Sequence, residues 1–149
     1  CLTRQNLPNL PADVVAERMD VAKGAYVVSC EKGFELILIG TGSELQAVMG
    51  AADILRAAGR KVRVVSMPSW ELFEKQSAAY RESVLPSSCR KRISVEAGST
   101  FGWGRYVGQD GLALGLDHFG DSAPCELLAE KYGFTAKAVA EHALAYLGR

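Results

Sequence analysis

The chain has 149 residues, 48% of them hydrophobic and 23% charged, with seventeen basic side chains against seventeen acidic ones. That length suits a single domain with a sizeable core, and the balanced charge creates no long-range field for nucleic acid or an anionic membrane. No apolar run approaches the roughly eighteen residues of a membrane span, and Cys1, Cys30, Cys89 and Cys125 form no CxxC pair, which favours a reducing, cytoplasmic setting over a disulfide frame or a zinc site.

The chain opens at Cys1 and not at methionine, with nothing like a signal peptide, and reads as part of a longer polypeptide. Residues 1–24 are poorly periodic. Pro8 and Pro11 mark Gln5 to Ala12 as a linker or surface crossing, with a short helix expected around Asp13 to Met19. Ala25 to Ser29 reads as a strand. A turn at Glu31-Lys32-Gly33 leads into the apolar run Leu36 to Gly40, a strand buried on both faces. So short a connection predicts an antiparallel hairpin, with the first strand at a sheet edge.

After Gly40, Thr41-Gly42-Ser43 turns the chain. Ser43 and Gln46 fit a capping box, Leu45, Val48, Met49, Ala52 and Leu55 recur at helical spacing, and Gly59 supplies a stop. Val62 to Met67 is the next strand, making a right-handed strand–helix–strand unit. Ser69 begins a short helix to Gln76, and Ser77 to Leu85 makes another, ended by Pro86. A strand at Arg92 to Glu96, a glycine-rich and aromatic stretch at Gly98 to Gly104, a turn near Arg105–Val107 and a strand at Leu112 to Asp117 follow. Ser122 and Pro124 begin a helix that stops at Gly133. Thr135 caps the last helix, with Val139, Ala143, Tyr146 and Leu147 on one face. The expectation is an α/β fold: a three-layer α/β/α arrangement around a five-stranded mixed sheet, four strands parallel and one antiparallel at an edge.

Several residues suggest chemistry. Gly40 to Glu44 lies where phosphates often sit in α/β proteins, but it lacks the third glycine of a dinucleotide fingerprint and the lysine of a P-loop. A capped turn and a regulatory phosphate- or nucleotide-binding module at Thr41–Glu44 are the two readings. His118, Asp121 and Ser122 have triad chemistry but lie within five residues, where separate segments should converge. Glu96 ends a strand and fits either a functional carboxylate or a structural one. His142 suits a helix flank, and Trp70 and Trp103 suit packing. Arg4, in Thr-Arg-Gln before a linker, has the planar fork that pairs with phosphate.

Leu2-Thr3-Arg4-Gln5-Asn6-Leu7-Pro8, Thr41-Gly42-Ser43-Glu44, Ser66-Met67-Pro68-Ser69, Tyr80-Arg81-Glu82-Ser83-Val84-Leu85-Pro86, Val95-Glu96-Ala97-Gly98 and Phe119-Gly120-Asp121-Ser122-Ala123-Pro124, in that order, resemble the C-terminal third of transketolases. The related pyruvate-dehydrogenase-type enzymes share the fold without Arg-Gln-Asn-Leu-Pro or Ser-Met-Pro-Ser, and the C-terminal domain of another thiamine-diphosphate enzyme is the alternative. The resemblance implies a parent that transfers a two-carbon ketol unit between sugar phosphates, using thiamine diphosphate and a divalent cation such as Mg2+, as a cytoplasmic homodimer. It implies that 1–24 closes a pyrimidine-binding domain and its linker, and that 25–149 is the C-terminal domain. It gives Arg4 a contact with the substrate's phosphate and gives this chain no catalytic, cofactor-binding or metal residue. The fragment alone should then be inactive, its role structural and dimer-supporting. Thr3 stands where that family usually has serine. A natural separate subunit of a split enzyme is a third reading.

Overall fold

The computed structural model describes residues 5–10 and 21–148. Arg4 and the helix expected at Asp13–Met19 lie outside the described residues. Strands β1 (Tyr26–Cys30), β2 (Leu36–Gly40), β3 (Val62–Ser66), β4 (Arg92–Val95) and β5 (Leu112–Leu114) form one sheet in the order β1-β3-β2-β4-β5. β1 runs antiparallel to β3, and the other neighbours are parallel. The helices are α1 (Glu44–Ala57), α2 (Trp70–Glu74), α3 (Ala78–Val84), α4 (Gly104–Val107), α5 (Cys125–Tyr132) and α6 (Ala136–Leu147), with a 3-10 turn at Val21–Lys23.

The alternation of each strand divides the apolar residues into two cores. Leu36, Leu38, Val62, Val64, Ile93 and Val95 face α1 and α6, meeting Val48, Ala52, Leu55, Val139 and Ala143. Ile37, Ile39, Val65 and Met67 face the opposite way, onto Phe73 of α2, Val84 of α3, Tyr106 of α4 and Trp103 just before α4. Both faces of the sheet are therefore covered, which is why β2 reads as an unbroken apolar run. Each buried Val, Leu, Ile, Phe or Met among them contributes about 1.5–3 kcal/mol by leaving water.

β1 keeps its predicted antiparallel sense and edge position, but its partner differs from the expected hairpin. It pairs with β3 (Tyr26↔Ser66, Val27↔Val65, Cys30↔Arg63), and not with β2. The right-handed β2–α1–β3 crossover sets β3 beside β2, so the 31–35 connection must pass across the start of β3. It is anchored there. The Glu31 carboxylate accepts the Val62 N–H at 3.0 Å, and Glu35 N–H donates to Lys61 O at 3.0 Å.

Of the caps expected at Ser43, Ser69 and Thr135 the last two form, and Ser77 caps α3 in the same way. Ser69, Ser77 and Thr135 have extended or near-extended backbones, and their hydroxyls accept the N–H groups of Leu72, Tyr80 and Ala138. Ser43 is itself helical (φ −66°, ψ −30°) and makes no cap bond, so the capping box is not built. Its hydroxyl donates to Glu44 Oε1 at 2.6 Å, while Gln46 Nε2 reaches Pro8 O at 3.3 Å. At the far end of α1 the stop is as predicted: Arg60 N–H returns to Leu55 O and Gly59 N–H to Arg56 O, both at 2.9 Å. β5 ends at Leu114, three residues short of its predicted Asp117; beyond it Leu116 N–H donates to Gly98 O and Asp117 accepts from Thr100, both in the loop that follows β4.

Candidate functional site at the carboxyl edge of the sheet

In an open α/β sheet, ligands favour the carboxyl ends of strands where the crossovers diverge. That switch point lies here between β2 and β4, bounded by the Thr41–Ser43 turn and residues 96–101. Glu44 closes it. One carboxylate oxygen takes the Ser43 hydroxyl and the other accepts the Ala97 N–H at 3.2 Å, tying the start of α1 to the loop after β4. The amides of the turn are also engaged, with Glu44 N–H on Thr41 O at 3.2 Å and Gln46 N–H on Ser43 O at 3.2 Å. A phosphate arriving there meets Glu44's negative charge and few free donors, so the geometry favours the structural turn over the phosphate module.

The neighbouring loops are bound in the same manner. Glu96 Oε2 accepts the indole N–H of Trp103 at 2.7 Å. Trp103 is buried, edge-on to Trp70 with ring centroids 5.1 Å apart, so both tryptophans pack as predicted and Glu96 holds one of them. Asp117 accepts from the Ser99 hydroxyl, the Thr100 N–H (each 2.9 Å) and the Thr100 hydroxyl (2.6 Å). These bonds, the Thr100 hydroxyl foremost, hold its carboxyl below the usual aspartate range. Gly115 permits this approach: a Cβ there would stand 2.6 Å from Gly98 O. Asp121 pairs with Lys131 and Tyr132, and the Lys131 bond leads in holding its carboxyl low.

The triad residues do not converge on one another. His118 Nδ1 faces Phe119 O at 2.8 Å, Asp121 is committed to α5, and Ser122 is exposed. Residues Gln5, Glu44, Ala97, Asp121, Cys125 and Phe134 line a shallow cleft of about 190 Å3. Cys125 is a poor nucleophile there, since its hydrogen bond to Glu126 and burial push the thiol up. His142 lies exposed on α6, as expected of a flank residue. Among the described residues no three of His, Cys, Asp and Glu converge to hold a metal ion.

A second polar hollow, about 390 Å3, lies between α2, α3 and α4. Glu74 there pairs with Arg81 at 2.8 Å and Arg105 at 2.9 Å. The Arg92 guanidinium donates to the carbonyls of Leu85, Pro86, Cys89 and Tyr106 at 2.8–3.1 Å. Burial, reinforced by the Glu74 charge, pushes the Tyr106 phenol up to about 12. Arg92 thus clamps the chain entering β4 to α4. A basic residue opening a strand carries no mark of that role in the sequence, because its partners are all backbone.

Comparison with known proteins gives a consistent picture. The family profile described as the transketolase-like TK C-terminal domain matches residues 24–135. A chloroplastic transketolase from Craterostigma plantagineum is 52% identical over 141 residues, 93% of this chain and 27% of that protein. A transketolase from Nostoc sp. is 51% identical over 147 residues, 98% of this chain and 22% of that protein. The solved transketolase of Pichia stipitis in complex with sedoheptulose-7-phosphate superposes with a TM-score of 0.84 at 34% identity, covering 97% of this chain and 20% of that one. The chain spans about a quarter or less of the length of these relatives.

Proposed function

The chain belongs to the transketolase family, as its C-terminal domain, and from that premise we propose that it completes a larger enzyme moving a two-carbon ketol unit from a ketose phosphate to an aldose phosphate. The observation that carries this is identity near 50% along almost the whole chain to transketolases several times longer. We divide the chain at residue 24: 1–24 closes the preceding pyrimidine-binding domain and its linker, and 25–149 is the domain itself. The parent is a homodimer. Its compartment is the cytoplasm, a reading supported by the free Cys30, Cys89 and Cys125, although several relatives are chloroplastic.

Thiamine diphosphate and a divalent cation such as Mg2+ supply the carbanion chemistry of the parent when bound. The residues described here do not fit them. The carboxyl edge presents Glu44, Glu96, Asp117 and Asp121, each already paired within the chain, and it offers no basic cradle for a diphosphate. The cofactor and metal are held elsewhere in the parent, and this domain's part is to support the subunit and the dimer. Arg4 is the exception. It precedes Gln5, which lines the carboxyl-edge cleft, and in the parent its guanidinium receives the substrate's phosphate.

The test compares the parent enzyme with the 149-residue chain in a coupled ketol-transfer assay and in thiamine diphosphate calorimetry. The parent transfers and binds, and the chain alone does neither. Transfer or tight cofactor binding by the isolated chain would overturn the proposal.

A further inference from the structure

We propose that the loop Asp117–Asp121, with Phe119 at its tip and Phe101 on the adjoining loop, is the seat on which the preceding domain of the parent polypeptide docks. This rests on the reading of the chain as the last part of a longer enzyme. Phe119 is 99% exposed and Phe101 89% exposed. Single exposed apolar residues are ordinary, but these two stand on loops joined to each other. Asp117 binds Ser99 and Thr100, the two residues before Phe101, and lies two residues before Phe119. On the far side Asp121 is pinned to Lys131 and Tyr132 of α5.

Two carboxylates thus hold a phenylalanine ring in water on a braced loop. A braced loop loses little further conformational freedom when it docks, which is the preorganisation that favours association. The surroundings are also unfinished. Residues 117–127 are all exposed, α5 contains no fully buried residue, and β5 is the outer strand of the sheet.

The occupant follows from where the chain enters the domain. Gln5, the first described residue, lines the same cleft as Gly120 and Asp121, which puts the N-terminal end of the described chain beside the Phe119 loop. A domain tethered at that point faces the loop at an effective concentration on the order of millimolar, far above that of a second copy in solution. A preceding domain of the same chain therefore meets this surface as the polypeptide folds, ahead of any copy still free in solution.

The intact mass of the natural protein is measured first; a mass near 16.0 kDa would remove the parent reading, and this proposal with it. With a parent several times larger, the Phe101→Ser/Phe119→Ser double variant of the full-length enzyme is compared with the unmodified enzyme by trypsin cleavage at Arg18 or Lys23 and by amide exchange. In the unmodified enzyme residues 99–102 and 115–124 are protected. In the variant that protection is lost and cleavage is about tenfold faster or more, while β2 and β3 amides exchange as before. Unprotected 115–124 amides in the unmodified enzyme would overturn the docking alone and leave the family reading standing. So would unchanged cleavage and exchange in the variant, or a collapse of β2 and β3 protection.

Discussion

Glu96 is the residue for which a structural and a chemical role can be separated most cleanly. Its carboxylate holds the indole N–H of Trp103 at 2.7 Å, and Trp103 is 2% exposed. Glu96→Ala leaves that donor buried without a partner, a loss of about 1–3 kcal/mol. Glu96→Gln keeps a carbonyl oxygen in place and gives up only the charge assistance, under about 1 kcal/mol. In a domain of this size each kcal/mol lowers the melting temperature by about 2–4 °C. Calorimetry should therefore place the Ala variant roughly 5 °C below the parent sequence and the Gln variant within about 3 °C of it. Near-UV circular dichroism should show the Trp103 signal altered only by Ala. In the full-length enzyme the Gln variant should retain ketol transfer. Equal melting of the two variants would refute the hydrogen-bond argument. A Gln variant that melts normally but loses turnover would make Glu96 a chemical group.

Gly24 has φ +83°, and a Cβ there would stand 2.3 Å from Ser69 O and 2.4 Å from Phe73 N. Gly24→Ala should therefore destabilise the domain by more than about 3 kcal/mol in urea denaturation, and a loss under 1 kcal/mol would contradict the packing. Glu31, Glu82, Asp117 and Asp121 all have folded pKa values below their ordinary 4.5 or 3.8, chiefly through bonds from the Val62 N–H, the Ser87 N–H, the Thr100 hydroxyl and Lys131 respectively. Their stabilisation is complete above those ordinary values and lost as pH falls through the lower folded ones, so melting should be level from pH 7 to about 5 and decline below about pH 4. A midpoint unchanged down to pH 3 would rule this out. In the full-length enzyme Arg4→Ala should raise KM for a phosphorylated acceptor by roughly tenfold or more and leave an unphosphorylated one little changed, because an arginine–phosphate pair contributes about 1.5–3 kcal/mol. Equal effects on both acceptors would remove the phosphate contact.

What could be read in advance follows the range over which each feature is determined. Leu36 to Gly40 announces a doubly covered strand because its own side chains fill both cores. Ser69, Ser77 and Thr135 announce their helices because a cap bonds only three residues ahead. Ser43 has the same composition signal and fails, because the turn bends at Gly42 (φ +56°) and leaves Ser43 already helical. The partner of β1 depends on where a crossover thirty residues later deposits β3, and no local pattern carries that. The bracing of the edge loops is hidden for the same reason: Asp117 and Thr100 are seventeen residues apart, and Asp121 and Lys131 ten. Arg4 lies outside the described residues, and its proposed phosphate contact rests on its motif.

The switch point between β2 and β4 is where this architecture ordinarily recruits a ligand, and the chain has filled it with its own acid. Glu44 spans the crevice to Ala97, Glu96 turns inward to Trp103, and Asp117 and Asp121 brace the loops beyond. A carboxylate bonded to backbone and hydroxyl donors fixes loop positions without leaving those donors for a phosphate. The edge is thereby converted from a place that binds small anions into a rigid rim. Such a rim suits a large, flat partner better than a small ligand, since it loses little freedom on contact and offers apolar rings where the polar groups are already satisfied. The same carboxylates that leave no anion cradle among the described residues of this edge suit it to the domain contact proposed above.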